Sequence, residues 1–313
     1  MPRFSIIIPV YNKAAHIADC LRSALQQSFP DFEILILNDG ATDSSEAEIK
    51  KFSDTRIRYF SEENRGVSAA RNYLVEKAAA PYIAFLDADD IWNPNHLEVL
   101  QELLLKFPNT KWMATAYEKQ HSTSSISTMN SPILEKGSEW AGQVDDFFQY
   151  SRIDALAWTS AVALKKDFFE TLGGFNTEVT HGEDTDLWIR AALQAPLTFS
   201  NQVTAIHVLH STNRSAAITA SQRKFPDLDV YKSAAEKNNY LAQYLSLNHY
   251  AIALHYKMEG NSERFQLYRQ KIDDKHLTAK QRSLLTKPRS ILLGLQKVKA
   301  LLQRMGIPVS TYT

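Results

Sequence analysis

Four short apolar runs, each giving way to a polar or acidic loop, constrain this chain more than any other feature. They are Phe4-Ser5-Ile6-Ile7-Ile8-Pro9-Val10, Phe32-Glu33-Ile34-Leu35-Ile36-Leu37, Ile57-Arg58-Tyr59-Phe60 and Tyr82-Ile83-Ala84-Phe85-Leu86. Runs this short and this apolar read as buried strands. Between them, Ala14, Ile17, Cys20, Leu21, Ala24 and Leu25 recur at helical spacing. Thr42, Asp43 and Ser44 offer caps for a helix reaching Phe52, and Gly66-Val67-Ser68 opens another through Lys77. Strands alternating with helices predict an α/β fold with a parallel, doubly wound sheet. Right-handed crossovers then gather the loops at 9–12, 38–43, 61–66 and 87–90 near one edge, where ligands of such sheets bind.

The fourth run ends in Asp87-Ala88-Asp89-Asp90. Carboxylates this close repel unless a cation sits among them, and hard oxygen ligands suit Mg²⁺ or Mn²⁺. A solvated turn capping the next helix is the bland alternative. Asp39 follows the second strand in a Gly-containing turn, where it could accept from a nucleobase or merely close the loop. Arg71, one turn past Gly66, could reach phosphates or a base, or lie on a solvated helix face. His181-Gly182-Glu183-Asp184 places two carboxylates at a helix start, as a general base and an acceptor contact or as plain helix caps. His210 could ligate a metal or meet a phosphate, although a lone His is more often structural; His207 is weaker still.

Farther on, Trp112–Tyr117 reads as a strand, 121–131 as a Ser/Thr-rich loop, and Trp158–Leu164 as strand-like. Leu197–Leu209 holds one or two strands. From about residue 219 the pattern is only helical. The expected division is 1–215 as one α/β domain, falling into halves at about 1–110 and 111–215 that the resemblance described below makes a nucleotide-sugar half and an acceptor half, and 216–313 as a helical extension.

Net charge is zero, which hides an asymmetry: residues 1–219 carry 19 Lys and Arg against 28 Asp and Glu, and residues 220–313 carry 16 against 7. The last predicted helix has Ile291, Leu295, Val298, Leu302 and Met305 in one stripe. It either packs on the catalytic sheet or mediates a homodimer, or it lies on an anionic membrane. The single cysteine, Cys20, excludes a disulfide framework and fits a reducing compartment and the core. No run suits a signal peptide or a spanning helix, so a cytoplasmic location is expected, with peripheral membrane contact through 275–313 as one reading. Nothing points to nucleic acid. A dinucleotide dehydrogenase would want G-x-G-x-x-G after the first strand, and a nucleotidyltransferase a Gly-rich phosphate loop; Pro9-Val10-Tyr11-Asn12 is neither. A sugar-nucleotide sensor or scaffold would be favoured had the Asp89 or Asp184 positions been lost.

The order of these loops decides more than any one of them. Pro9-Val10-Tyr11-Asn12, Asn38-Asp39-Gly40, Asn64-Arg65-Gly66 with Arg71-Asn72, Asp87-Ala88-Asp89-Asp90, Gly173-Gly174-Phe175 and Gly182-Glu183-Asp184-Thr185-Asp186-Leu187-Trp188 follow one another along the chain. The series resembles family 2 glycosyltransferases of the GT-A fold over about residues 3–215. The resemblance implies a Rossmann-like, mostly parallel sheet flanked by helices and an inverting, metal-dependent sugar transfer. It implies that Pro9 and Tyr11 flank the nucleotide, that Asp39 binds the base, usually uracil, and that Arg71 lies near the base or diphosphate. Asp87-Ala88-Asp89 matches the DxD motif, with Asp87 on the ribose or sugar and Asp89 holding Mn²⁺ or Mg²⁺. Asp184 matches the second residue of a Glu-Asp pair, the usual source of the base. The His210-Ser211-Thr212-Asn213-Arg214 segment matches a closing stretch that touches the diphosphate. The implied partners are a UDP-sugar or other nucleotide sugar and a glycan or lipid-linked acceptor. Asn38 departs from the family's usual Asp, and Val208 from a basic residue.

Overall fold

The computed structural model describes residues 1–211 and 219–304. Chain order runs β1 (Phe4–Val10), α1 (Ile17–Leu25), β2 (Phe32–Asp39), α2 (Ser45–Ile49), β3 (Ile57–Glu62), α3 (Val67–Lys77), β4 (Tyr82–Phe85), β5 (Ile91–Trp92) and α4 (His96–Lys106). There follow β6 (Trp112–Ser122), β7 (Ser125–Thr128), β8 (Ala141–Gln143), α5 (Phe147–Tyr150), β9 (Val162–Lys165), α6 (Lys166–Thr171), α7 (Glu183–Gln194) and β10 (Thr198–Val208). The remainder is helical: α8 (Lys232–Ala235), α9 (Asn239–Glu259), α10 (Ser262–Arg269), α11 (Ala279–Thr286) and α12 (Arg289–Arg304).

One sheet carries the molecule, in the order β3-β2-β1-β4-β9-β6-β10-β5. Its first four strands are parallel, with Ile6 opposite Ile34 and Ala84. β9 runs antiparallel between β4 and β6, and β6 pairs parallel with β10. Every residue of β1 and β2 is buried, as expected of strands covered on both faces. The parallel ladder therefore delivers the ends of β1, β2 and β4, with the loops that follow, to one edge. The main core does not stop at the sheet: Leu228 and the α9 residues Leu241, Tyr244 and Leu245 belong to it.

Three local expectations change. The stretch 121–131 is not a structureless loop, because β6 runs on to Ser122 and turns back as β7, pairing Glu118 with Thr128. Trp158–Leu164 is strand only from Val162, after a 3₁₀ turn at Thr159–Ala161. Asp90 does not cap the next helix: α4 starts at His96, beyond β5. Thr212, Asn213 and Arg214 of the closing stretch, and Met305 of the terminal stripe, lie outside the described residues.

Candidate active site

The strand-end loops line a cleft of about 1170 Å³. Pro9 and Tyr11 come from β1 and its loop, Asp39 from β2, Arg71 from α3, Asp87, Ala88, Asp89 and Asp90 from the loop after β4, and Glu183 and Asp184 from the start of α7. The loops brace one another. Asn12 adopts a positive φ of 52°, and its Oδ1 accepts from the Thr42 and Asp43 amides at 2.7 and 3.2 Å. Gly40, at φ 67°, packs so closely on the loop before α3 that an added Cβ would sit 2.6 Å from the Asn64 nitrogen. Asp39 is 3% exposed, and its two oxygens accept from the Arg65 and Gly66 amides at 2.9 and 3.0 Å. Asp39 thus ties the loop after β2 to the loop before α3, and the turn around Gly40 is closed instead by Asn38, whose Oδ1 accepts from the Ala41 amide at 2.8 Å.

Arg71 is not on a solvated face. It is 3% exposed, with Nη2 2.6 Å from Asp87 Oδ1 and Nη1 3.1 Å from Glu183 Oε1, and its guanidinium lies 4.9 Å over the Phe175 ring. It joins the acidic loop to the α7 start across 112 residues of chain. A buried cation between two carboxylates holds both in place. Asp184 has no such partner among the described residues: its Oδ1 accepts from the Thr185 amide at 2.6 Å. Burial, with Glu183 adding, pushes its carboxyl up to about 6, against the opposing pull of the Thr185 amide and Arg71. Gly182, left-handed at φ 80°, turns the chain into α7 so that the acidic pair lines the cleft. Two adjacent carboxylates therefore differ: Glu183 is ion-paired with Arg71, and Asp184 is a weak acid suited to take a proton near neutral pH.

Asp89 Oδ2 accepts from Lys13 Nζ at 2.7 Å and from Ser211 Oγ at 2.5 Å. Asp90 is 2% exposed and holds the loop from below. Its oxygens accept from Ser160 Oγ at 2.5 Å, Trp158 Nε1 at 3.1 Å and the Val208 amide at 3.0 Å, while Ser160 Oγ accepts from the Asp87 amide. Burial, with Asp87 and Asp89 beside it, raises its carboxyl to about 8. Trp158 in turn stacks on His207 at 3.8 Å, and both rings line the cleft. His210 is exposed just after β10, with Nδ1 3.4 Å from the Gln120 carbonyl.

Seven carboxyls line the cleft (Asp39, Asp87, Asp89, Asp90, Asp154, Glu183, Asp184) against Lys13, Arg71 and Lys119. No three His, Cys, Asp or Glu are grouped as a metal site among the described residues. The donor set nevertheless fits Mg²⁺ or Mn²⁺, which are commonly held by one or two carboxylates and completed by substrate phosphates and water. A diphosphate entering so acidic a cleft also needs a cation.

Sequence reasoning missed Lys13, Trp158 and the far wall of the cleft. That wall comes from beyond residue 219: Gln222, Phe225, Pro226 and Leu228, and Asn248, Ala251, Ile252 and His255 on one face of α9. No local pattern marks these residues as anything but ordinary helix surface.

Comparison with known proteins agrees with this geometry. Residues 5–160 match the model of glycosyl transferase family 2. An uncharacterized glycosyltransferase of Rickettsia felis is 29% identical over 232 residues, which are 70% of this chain and 36% of that protein. A chondroitin synthase of Pasteurella multocida is 28% identical over 226 residues, 72% of this chain and 22% of its own. The chain thus spans little more than a third of the one and under a quarter of the other. Among solved structures, S. aureus TarS 1–349 in complex with UDP-GlcNAc superposes with a TM-score of 0.69 at 18% identity, covering 97% of this chain and 92% of that one, a likeness of fold. Domain match, sheet order and loop arrangement together assign the chain to glycosyltransferase family 2, with the mixed α/β sheet of the GT-A fold and helices at its C-terminal end.

Proposed function

We propose that the protein moves a sugar from a nucleotide-diphosphate donor, a UDP-sugar, to a hydroxyl of a glycan or lipid-linked acceptor, with inversion at the anomeric carbon. The observation that carries this reading is the unequal pair at the start of α7: Glu183 tied to Arg71, and Asp184 raised to about 6 on the cleft wall. Asp184 takes the proton of the attacking hydroxyl, and a single displacement needs no second, nucleophilic carboxylate. Asp87, fixed by Arg71, contacts the ribose or the sugar. Pro9, Tyr11, Asp39 and Ala88 border the nucleotide. Glu183, through its ion pair with Arg71, keeps the start of α7 in step with the 87–90 loop.

Asp89 would hold the divalent cation, which supplies charge neutralisation at the departing diphosphate; His210, outside the cleft lining and facing the Gln120 carbonyl, would have to turn to join it. Lys13 sits on Asp89, so this carboxylate is kept in place at the cleft by an ammonium and the Ser211 hydroxyl. The wall from α9 and the 222–228 segment borders the acceptor. The side chains it lends to the cleft, among them Gln222, Phe225, Asn248 and His255, carry no carboxylate, and Arg223 stands beside His181 at 3.5 Å.

The test is Asp184→Asn. Transfer should fall by about 10²–10⁴, while binding of UDP with Mn²⁺, measured by calorimetry, stays as in the parent. Normal turnover by this variant would remove Asp184 from the role of base. A hydrolysis screen of nucleotide sugars with Mn²⁺, Mg²⁺ or chelator identifies the donor and checks the cation.

A further inference from the structure

The last helix keeps its hydrophobic stripe outside the fold. α12 is anchored on one side, where Leu292 is 5% exposed and Arg289 Nε donates to the Met258 carbonyl at 2.8 Å. Ile291, Leu295 and Val298 follow one another at i, i+4 and i+7, and their mean direction lies about 90° round the helix from Leu292. They are 46%, 49% and 55% exposed. A helix recruited only to cover a core would bury that stripe.

The segment that carries the stripe is basic along its sequence, with Arg289 and Lys297 on the side of α12 roughly opposite the stripe and Lys275 paired with Asp273 at 2.9 Å. Residues 275–304 contain Lys275, Lys280, Arg282, Lys287, Arg289, Lys297, Lys299 and Arg304, and no Asp or Glu. A second copy meeting this face across a two-fold axis would set one cationic region against another, which opposes association. An anionic surface is attracted by the same charges and can take up the three apolar side chains at the boundary of its acyl chains. No described helix is long and apolar enough to cross a membrane, so the contact is one of lying on the surface.

We infer that α12 docks the protein on an anionic lipid bilayer, with Ile291, Leu295 and Val298 inserted and the net positive charge of residues 275–304 drawing the helix to the headgroups. The inference does not depend on the transfer reaction proposed above.

The experiment is co-sedimentation of the full chain with vesicles of phosphatidylcholine alone or with about a third of phosphatidylglycerol. The protein should pellet with the anionic vesicles and bind the neutral ones at least about tenfold more weakly, with high salt releasing it. The triple variant Ile291→Ser, Leu295→Ser, Val298→Ser should lose about tenfold or more in binding to the anionic vesicles, with its circular dichroism and its affinity for UDP unchanged. As a variant with a single change, Val298→Cys labelled with an environment-sensitive dye should brighten on anionic vesicles; Cys20 is buried and escapes the label. Absence of binding by the parent chain, equal binding by the triple variant, or a dye that stays dark would each overturn the inference. So would a parent dimer in light scattering that the triple variant turns into a monomer, which assigns the stripe to a second copy.

Discussion

The floor and the far wall of the cleft are built on opposite principles. On the floor, charge meets charge where Arg71 bridges Asp87 and Glu183 and Lys13 holds Asp89, and Asp90 gathers three neutral donors beneath them. On the wall, Asn248, Ala251, Ile252 and His255 of α9 line the cleft without a carboxylate, and burial, with Arg223 adding, lowers the basicity of the imidazole. The floor comes from loops fixed by a parallel sheet. The wall comes from a helix whose first turns are rooted in the same core through Leu241, Tyr244 and Leu245. The difference teaches that two tasks are separated in space. On the proposed reading, the preorganised charge serves the departing diphosphate and the α9 side serves the acceptor.

Four measurements test that contrast, from the largest expected effect to the smallest. Arg71→Ala strips the buried partner from Asp87 and Glu183 and should cost about 3–5 kcal/mol in chemical denaturation. A loss no larger than that of an exposed substitution would show the floor not to be held by paired charge. Asp90→Ala removes the acceptor of the Ser160, Trp158 and Val208 donors and should cost about 2–3 kcal/mol by the same measurement. If its stability matches the parent, the acidic loop is positioned by something else. On the wall, Ala251→Trp should lower transfer by about tenfold or more, with donor hydrolysis kept; equal loss of both would place α9 on the donor side. The last is a pH effect. Because Asp184 titrates at about 6, transfer should decline as pH falls through that value, about tenfold per unit below it. The raised carboxyl favours the folded state only while it is protonated, so this stability is fully present below the unfolded value of about 4 and is lost as pH rises through about 6. Asp184→Asn should therefore melt a few degrees above the parent at about pH 7, with the gap closing in acid; a variant that melts lower there would contradict the burial argument.

Much of the donor side is visible in the sequence because a parallel sheet announces itself in apolar runs and sends each following loop to one edge. The loops bearing Tyr11, Asp39, Asp87 and Asp89 meet as that logic requires, and the start of α7 with Glu183 and Asp184 joins them from outside it. What stays hidden depends on partners far along the chain. Arg71 reads equally well as a helix-surface residue because nothing nearby reveals Glu183, 112 positions on. Asp90 reads as a cap because burial of a carboxylate is the exception, and the donors that permit it are on Trp158, Ser160 and Val208. The β6–β7 hairpin is masked by Ser and Thr, whose backbone pairing leaves no apolar alternation to detect. α9 is one helix of 21 residues, yet its periodicity is blurred because it is packed on more than one side. Leu241 and Leu245 enter the main core, and Tyr250 and Ala253 enter a smaller one with Ile272, Leu277 and Leu285.

The buried thiol of Cys20 has a use of its own. Its Sγ lies 3.6 Å from the Asp87 carbonyl, against the acidic loop, and burial pushes its ionisation well above the ordinary thiol range. Such a sulfur reacts with alkylating reagents only when the structure around it opens. The chain has no other cysteine, so the rate of its alkylation is a clock for breathing of the floor. A ligand that clamps the 87–90 loop should slow that clock, and one that rests only on α9 should leave it running.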